Sequence, residues 1–289
     1  MSGRVLEGRP LAALRRGQLT QRVAALATQT GPPRVAIIRF ADSGAEVTYA
    51  LSLARAASAV GMLPADVRLS TTTTMAETAD TIGSLNRDLS VAGIVVIYPV
   101  PAHLDPDVVG RLVDPAKDVD GASPVSAERL KRGEPAFVPA TAVAVFEVLA
   151  HHDIPVRDRR VVVVGRSKVV GLPTATLLAN HGARVTVAHS ETADVVAEAR
   201  QAEILVVAVG VPHLIGPEHV TSDTVVIDCG INVTTDGVVG DVDFERVQPL
   251  VAAITPVPGG VGPVTTVMLL DQAVTAAERL AAAAEPPAP

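Results

Sequence analysis

The segment GIVVIYPVPAH (93–103) runs apolar up to Tyr98 and then breaks at Pro99 and Pro101. Such a run reads as a short buried strand whose ladder cannot continue past the prolines, so side chains at its end face a crevice. Tyr98 is one of only two tyrosines in the chain, and it brings a phenolic donor to that place. A second segment, VVVVGRSKVVG (161–171), sets four valines before Gly165, Ser167 and Gly171 and an alanine- and leucine-rich stretch. That is a strand, a tight turn and a helix N-terminus, where backbone N–H groups and the helix dipole favour a phosphate. The spacing is not G-x-G-x-x-G, and taken alone it also fits a plain strand-to-helix turn. The next strand, RVTVAHS (184–190), ends in His189 and Ser190 with no acid at that end. An acid there would bond the ribose 2′-hydroxyl of NAD. Arg166 and Ser190 can instead accommodate a 2′-phosphate, so the cofactor expected is NADP.

These residues need a scaffold of strand ends. Leu11 to Ala27 repeats its apolar residues at helical spacing, and VAIIRF (35–40) reads as a strand. EVTYALSLARAASAVGM (46–62) reads as a helix closing at Gly61, a helix over 75–90 follows, and the strand before Tyr98 completes a βαβ alternation. The pattern restarts at RRVVVV (159–164) and continues through ILVVAVG (204–210) and TVVIDCG (224–230), which marks a second α/β domain. A last apolar helix over 264–283 is expected to pack back on the first domain, and the terminal EPPAP is too rich in proline to fold. The fold class expected is α/β, with two α/β domains, the second of Rossmann type and NAD(P)-binding.

Composition narrows the function. At 289 residues with 48% hydrophobic residues, the chain can build two proper cores. A net charge of -7 and the lack of a Lys/Arg cluster argue against nucleic acid. Cys229 is the single cysteine, so no internal disulfide forms. The N-terminus lacks the apolar core of a signal peptide, and no apolar run approaches the ~20 residues of a membrane helix. The histidines show no metal-ligand spacing. A cytoplasmic enzyme with a small-molecule substrate, no metal and no membrane partner is the expectation.

Five segments taken together resemble the methylenetetrahydrofolate dehydrogenase/cyclohydrolase family: DPAKDVDG (114–121), GRSKVVGLP (165–173), VIDCGIN (226–232), GDVDF (240–244) and ITPVPGGVGPVTTVMLL (254–270). They stand in the family's order over almost the whole chain. The resemblance implies a catalytic domain (1–141 completed by 264–289), a Rossmann domain (142–263), an interdomain cleft and a homodimer formed through the Rossmann domain. It places Gly210 and Ile231 with Gly165, Arg166, Ser167, Gly171, His189 and Ser190 at the cofactor, and Pro258, Gly259, Gly260 and Thr265 at the substrate pocket.

In the family a tyrosine and a lysine one helical turn later sit in the cleft, a glutamine holds the lysine, and an aspartate of KDVDG binds the pterin. Tyr49 matches the tyrosine and Asp120 the aspartate. The lysine's position holds Leu53 and the glutamine's holds Ile97. Arg55 projects roughly 200° from Leu53 and is a poor stand-in. PATA (139–142) also departs from the family's usual cysteine and second proline. A lysine of lowered pKa can trade protons in hydrolysis of a methenyl cation, and leucine cannot. Hydride transfer asks mainly for positioning, since the cofactor carries the chemistry. The expectation is therefore an NADP-dependent oxidoreductase of one-carbon metabolism acting at a C–N carbon, with Tyr49, Tyr98 and Asp120 as catalytic residues, Leu53 and Ile97 lining a drier pocket, and no cyclohydrolase activity. Its substrate is either 5,10-methylene-tetrahydrofolate or, after redirection, a cyclic imine. An ordinary bifunctional folate enzyme and a nucleotide-binding pseudoenzyme are the alternatives. As bland readings, Leu53 is ordinary helix core, Tyr98 fills a strand end, and Asp120 shapes its turn.

Overall fold

The computed structural model describes residues 3–40, 44–235 and 237–284. The terminal EPPAP (285–289) lies outside them. Two compact units emerge, Leu14–Val138 with Leu269–Pro289, and Met1–Ala13 with Pro139–Met268. In chain order the elements are β1 (Arg4–Val5), α1 (Arg9–Thr30), β2 (Arg34–Arg39), α2 (Ala45–Ala59), β3 (Leu63–Arg68), α3 (Met75–Arg87), β4 (Val91–Val96), α4 (Pro106–Leu112) and α5 (Pro124–Lys131). There follow α6 (Ala140–His151), β5 (Arg160–Val164), α7 (Gly171–Asn180), β6 (Arg184–Ala188), α8 (Val195–Arg200), β7 (Ile204–Val207) and β8 (Val225–Asp228). A short hairpin of β9 (Asn232–Thr234) and β10 (Gly237–Val239), then α9 (Phe244–Val247), β11 (Ala253–Ile254) and α10 (Val261–Ala284), complete the chain.

The first unit is built on a parallel sheet of order β3-β2-β4. Strands β2 and β4 are apolar because both faces are covered: every residue of β4 is buried. On one face Ala36, Ile38, Ile94 and Val96 meet Ile82, Leu104 and Val109, and Tyr98 packs against the edge of that cluster. Gly61 takes φ +89 just past α2, and the Met62 amide bonds back to Ala57, so the expected helix stop is present. Helix α3 starts at a capping box of Thr74 and Glu77. Strand β3 has no counterpart in the sequence reading. Its LPADVR is polar, opens next to a proline and alternates only weakly, as a half-exposed edge strand can.

The second unit carries a parallel sheet of order β1-β11-β8-β7-β5-β6. Strands β5 and β7 are valine-rich and nearly wholly buried, as a sheet covered on both faces requires. Residues 1–13, which the sequence reading grouped with the first domain, differ in placement. Strand β1 pairs with β11, and the amides of Arg4 and Leu6 bond the carbonyls of Ala252 and Ile254.

Within the first unit, α10 is tied to α1 by Arg22. Its guanidinium donates to Asp271 Oδ1 (2.7 Å), to Thr275 Oγ1 (3.0 Å) and to both carboxylate oxygens of Glu278 (2.8 and 2.7 Å). The helix expected to return to this domain therefore does so through a charged cluster as well as apolar packing. Because the partners are about one-third exposed, solvent screens much of the attraction. Arg22→Ala is expected to lower unfolding free energy by about 1 kcal/mol, with the urea midpoint shifted and the slope unchanged.

Candidate active site

The turn after β4 and α4 is organised by a buried carboxylate. Asp118 is 4% exposed and accepts from the amides of Ala122 (3.2 Å) and Ser123 (3.0 Å) and from Ser126 Oγ (2.5 Å). Lys117 donates to the carbonyls of Leu85 (3.0 Å) and Asp88 (2.7 Å) and so closes the end of α3. Gln272 of α10, which the sequence reading missed, bonds the Val119 carbonyl at 2.8 Å and both backbone groups of Val138. These bonds fix Val119 from both sides and hold Asp120 in place. No described residue donates to the Asp120 carboxylate.

Asp120 is half-buried, and desolvation, with the neighbouring Asp118 charge, pushes its pKa up to about 7. No cation contributes to holding it ionised. Tyr49 stands near enough for the Asp120 charge, after burial, to raise its phenol above the ordinary value. Tyr98 is raised to about 12, first by burial and then by Asp118, Asp120 and Asp107. Tyr98, Gly110, Asp118, Asp120 and Ser123 line one narrow recess. Of the three residues read as catalytic, Asp120 and Tyr98 share this recess, while Tyr49 is 44% exposed and outside its lining, linked to Asp120 through charge.

Leu53 and Ile97 are placed differently. They are 1% and 4% exposed and belong to the apolar interior, as expected of apolar side chains one helical turn past Tyr49 and one residue before Tyr98, and neither lines the Asp120 recess. Arg55 is exposed and does not substitute for a buried base.

Tyr98 has a partner the sequence did not reveal. A Cβ at Gly110, inside α4, would lie 3.3 Å from Tyr98 Oη and 3.0 Å from Pro124 Cδ. The glycine is there for space, since its φ is not in the left-handed region.

In the second unit, Gly165 (φ +120) ends β5, and a Cβ on it would meet the Ala208 carbonyl at 2.1 Å. A Cβ on Gly171 would meet the Gly165 carbonyl at 2.2 Å. Only glycines allow strand, turn and α7 to approach this closely. Ser167 Oγ accepts from the amides of Val170 (3.1 Å) and Gly171 (3.2 Å), which caps α7. Arg166 lies against an acid that follows Ser190: its guanidinium is 2.6 Å from Glu191 Oε1. His189 Nδ1 accepts from the Glu191 amide at 3.2 Å. The absence of an acid at the end of β6 therefore needs correcting by one residue. Gly210 has φ +70, and its amide and that of Val209 donate to Asp241 Oδ2 (2.9 and 2.7 Å). Asp241 Oδ1 accepts from Asn232 Nδ2 at 2.8 Å. Asp228 in turn accepts from the amides of Gly230, Asp241 and Val242. Ile231, beyond β8, is 66% exposed. The two buried aspartates were visible in sequence only as parts of motifs.

Pro258, Gly259, Gly260 and Thr265 also belong to this second unit, whereas Leu53 and Ile97 belong to the first. The Gly259 carbonyl accepts from the Gly8 amide at 2.9 Å, and the Thr265 hydroxyl bonds the Val261 carbonyl within α10.

Two outcomes follow from the Asp120 recess. Gly110→Ala should cost about 1 kcal/mol net, because crowding of Tyr98 and Pro124 outweighs the helix preference of alanine, and adding Tyr98→Phe should recover part of the loss in a double-mutant cycle. Asp120 holds its proton more tightly in the folded protein than in the unfolded chain, so its contribution to stability is full below pH 3.8 and lost as pH rises through about 7. Asp120→Asn removes this dependence. Urea unfolding should find the variant gaining on wild type between pH 5 and pH 8, while Asp118 and Asp228, also raised, act alike in both proteins.

The chain matches the tetrahydrofolate dehydrogenase/cyclohydrolase catalytic domain over residues 6–120 and the NAD(P)-binding domain of the same enzymes over 139–281. It is 44% identical to the "Bifunctional protein FolD" of Lacticaseibacillus paracasei over 277 residues, 96% of this chain and 98% of that protein. Among solved structures it is similar to the bifunctional FolD methylenetetrahydrofolate dehydrogenase/cyclohydrolase of Campylobacter jejuni, with TM-score 0.93 and 36% identity over 95% of this chain and 98% of that one. A FolD structure from Trypanosoma brucei, complexed with NADP and an inhibitor, superposes with TM-score 0.90 at 36% identity, covering 96% and 98%. With both halves matched and a relative this similar along nearly its full length, the chain belongs to the tetrahydrofolate dehydrogenase/cyclohydrolase family.

Proposed function

We propose that the chain oxidises 5,10-methylene-tetrahydrofolate with NADP, as the names of its relatives indicate for them. The carrying observation is Asp120: a half-buried carboxyl without a donor among the described residues, in one recess with Tyr98 and close enough to Tyr49 for its charge to act on that phenol. A pterin edge offers an amino group and a ring N–H side by side, which a carboxylate can accept together. The turn held by Asp118 and Gln272 keeps that acceptor in position.

The residues of the second unit fit a dinucleotide. Gly165 and Gly171 let β5, its turn and the N-terminus of α7 pack against one another, the strand–turn–helix arrangement at which a dinucleotide fold receives a phosphate. Arg166 and the exposed Ser190 supply donors for a 2′-phosphate. When bound, NADP accepts the hydride, and the protein's part is to orient the donor carbon and exclude water.

For the second reaction of the family, hydrolysis of the methenyl product, two considerations pull apart. The relatives are named bifunctional, which supports it. Leu53 and Ile97 are buried and apolar, leaving no base at the two positions where the family resemblance expects a lysine and its glutamine partner. The phenols stay protonated and do not replace them. The cyclic-imine reading rests on those same two residues, with Asp120 as a counter-charge to a protonated imine, whereas the relatives are folate enzymes, so the folate reading is favoured. A cytoplasmic homodimer accompanies the proposal on the strength of the resemblance alone; among the described residues no helix is long and apolar enough to cross a membrane.

NADP reduction with methylene-tetrahydrofolate is expected to be efficient in wild type and to fall by about 100-fold or more in kcat/KM in Asp120→Ala, as befits loss of a charged anchor worth about 3 kcal/mol. Hydrolysis of methenyl-tetrahydrofolate is expected to be slow and to rise in Leu53→Lys with Ile97→Gln. If cyclic imines are reduced and the folate is inert, the substrate assignment fails. Fast hydrolysis by wild type would instead restore the full bifunctional reading.

A further inference from the structure

Arg166 has two claims on it. It is the cation placed to meet a 2′-phosphate, and it is already paired, at 2.6 Å, with Glu191. The pair joins the turn after β5 to the segment after β6, the two places where a dinucleotide fold holds the adenosine ribose. Glu191 is held there by more than the ion pair, because its amide donates to His189 Nδ1 at 3.2 Å, and His189 is anchored in turn by its own amide to Thr192 Oγ1 at 2.9 Å. The two side chains are 48% and 70% exposed, so the pair can open for a ligand at modest cost. The bond from Arg166 lowers the pKa of Glu191 from its ordinary value, so it is ionised wherever an enzyme of this kind is assayed.

We propose that Glu191 is a specificity-determining residue that weakens the preference of this loop for NADP over NAD. It competes with a 2′-phosphate for Arg166 and repels that phosphate's charge. The same carboxylate offers the bare ribose 2′-hydroxyl of NAD an acceptor, the role an acid plays at this point of the fold. Arg166 and Ser190 by themselves describe a phosphate site; with Glu191 between them they describe one that takes both cofactors. The inference rests on the reading of the Gly165–Gly171 turn as a dinucleotide site.

Binding of NADP and of NAD to the full chain is measured by calorimetry at low ionic strength for wild type, Glu191→Gln, Arg166→Ala and the double variant. Glu191→Gln should tighten NADP by about threefold or more and weaken NAD by a similar factor, a shift in selectivity of roughly tenfold. The NADP gain should shrink once Arg166 is gone, because the competition runs through that side chain. Added salt should narrow the difference between wild type and Glu191→Gln for NADP. Unchanged or weaker NADP binding in Glu191→Gln would overturn the proposal, as would NAD binding that does not fall or a full-sized NADP gain in the absence of Arg166. Failure of wild type to bind either cofactor would overturn the dinucleotide reading itself, and this inference with it.

Discussion

A carboxylate removed from water must find donors or give up its charge, and that constraint orders both halves of this protein. Asp118, Asp228 and Asp241 are 4%, 3% and 0% exposed, and each spends its oxygens on backbone amides of nearby turns. In doing so they fix the loops at the strand ends, where irregular backbone would otherwise leave polar groups unpaired. Asp120 lies two residues from Asp118 and receives no such bond from a described residue. Desolvation and the Asp118 charge push its pKa up to about 7, whereas at Asp118 hydrogen bonds oppose the rise that burial causes. One aspartate of the turn is bound up in the backbone and the other receives no bond from a described residue.

The availability of Asp120 depends on rigidity elsewhere. Gln272 reaches from α10 to bond Val119, and Lys117 closes α3, so the residues on the chain before Asp120 are held. Arg22 keeps α10 itself on α1. The carboxyl is thus positioned through a sequence of bonds from an exposed ion cluster to a buried turn, none of which uses the site's own polar groups. That is how a half-buried acceptor can go without a protein donor while its turn stays fixed.

Legibility in the sequence followed the range of the interaction. The valine-rich strands β5 and β7, the stop of α2 at Gly61 and the Gly165–Gly171 turn declare themselves within a few residues, and the structure has them. Strand β3 and the pairing of β1 with β11 did not, because an edge strand is weakly patterned and a two-residue strand has no pattern at all. The site divided in the same way. Asp120 and Tyr49 carry the motif resemblance in their own neighbourhoods. Gln272, Gly110 and the acceptors Asp228 and Asp241 act on groups brought up by the fold, and Gln272 meets Val119 across 153 positions. Glu191 was missed for a narrower reason: it stands one residue past the strand end where an acid was sought, and only its 2.6 Å bond to Arg166 reveals its reach.

The surroundings of β4 bear on whether the apolar replacements were independent. Leu53 and Ile97 are both buried, so a lone lysine at either place would face an interior without its partner, and a lone glutamine likewise. Both positions therefore favour changing together. Tyr98 follows Ile97 directly and needs the space that Gly110 leaves, a glycine that costs α4 about 1 kcal/mol of helix preference. A bulky ring at one position and a missing side chain at the other describe one packing solution, as the apolar pair describes another. Between them they leave Asp120 as the one acidic group of the recess free of backbone donors, with phenols in place of cations beside it. A carboxyl in such company is suited to a ligand that brings its own N–H donors, which is the chemistry the proposed folate reading asks of it.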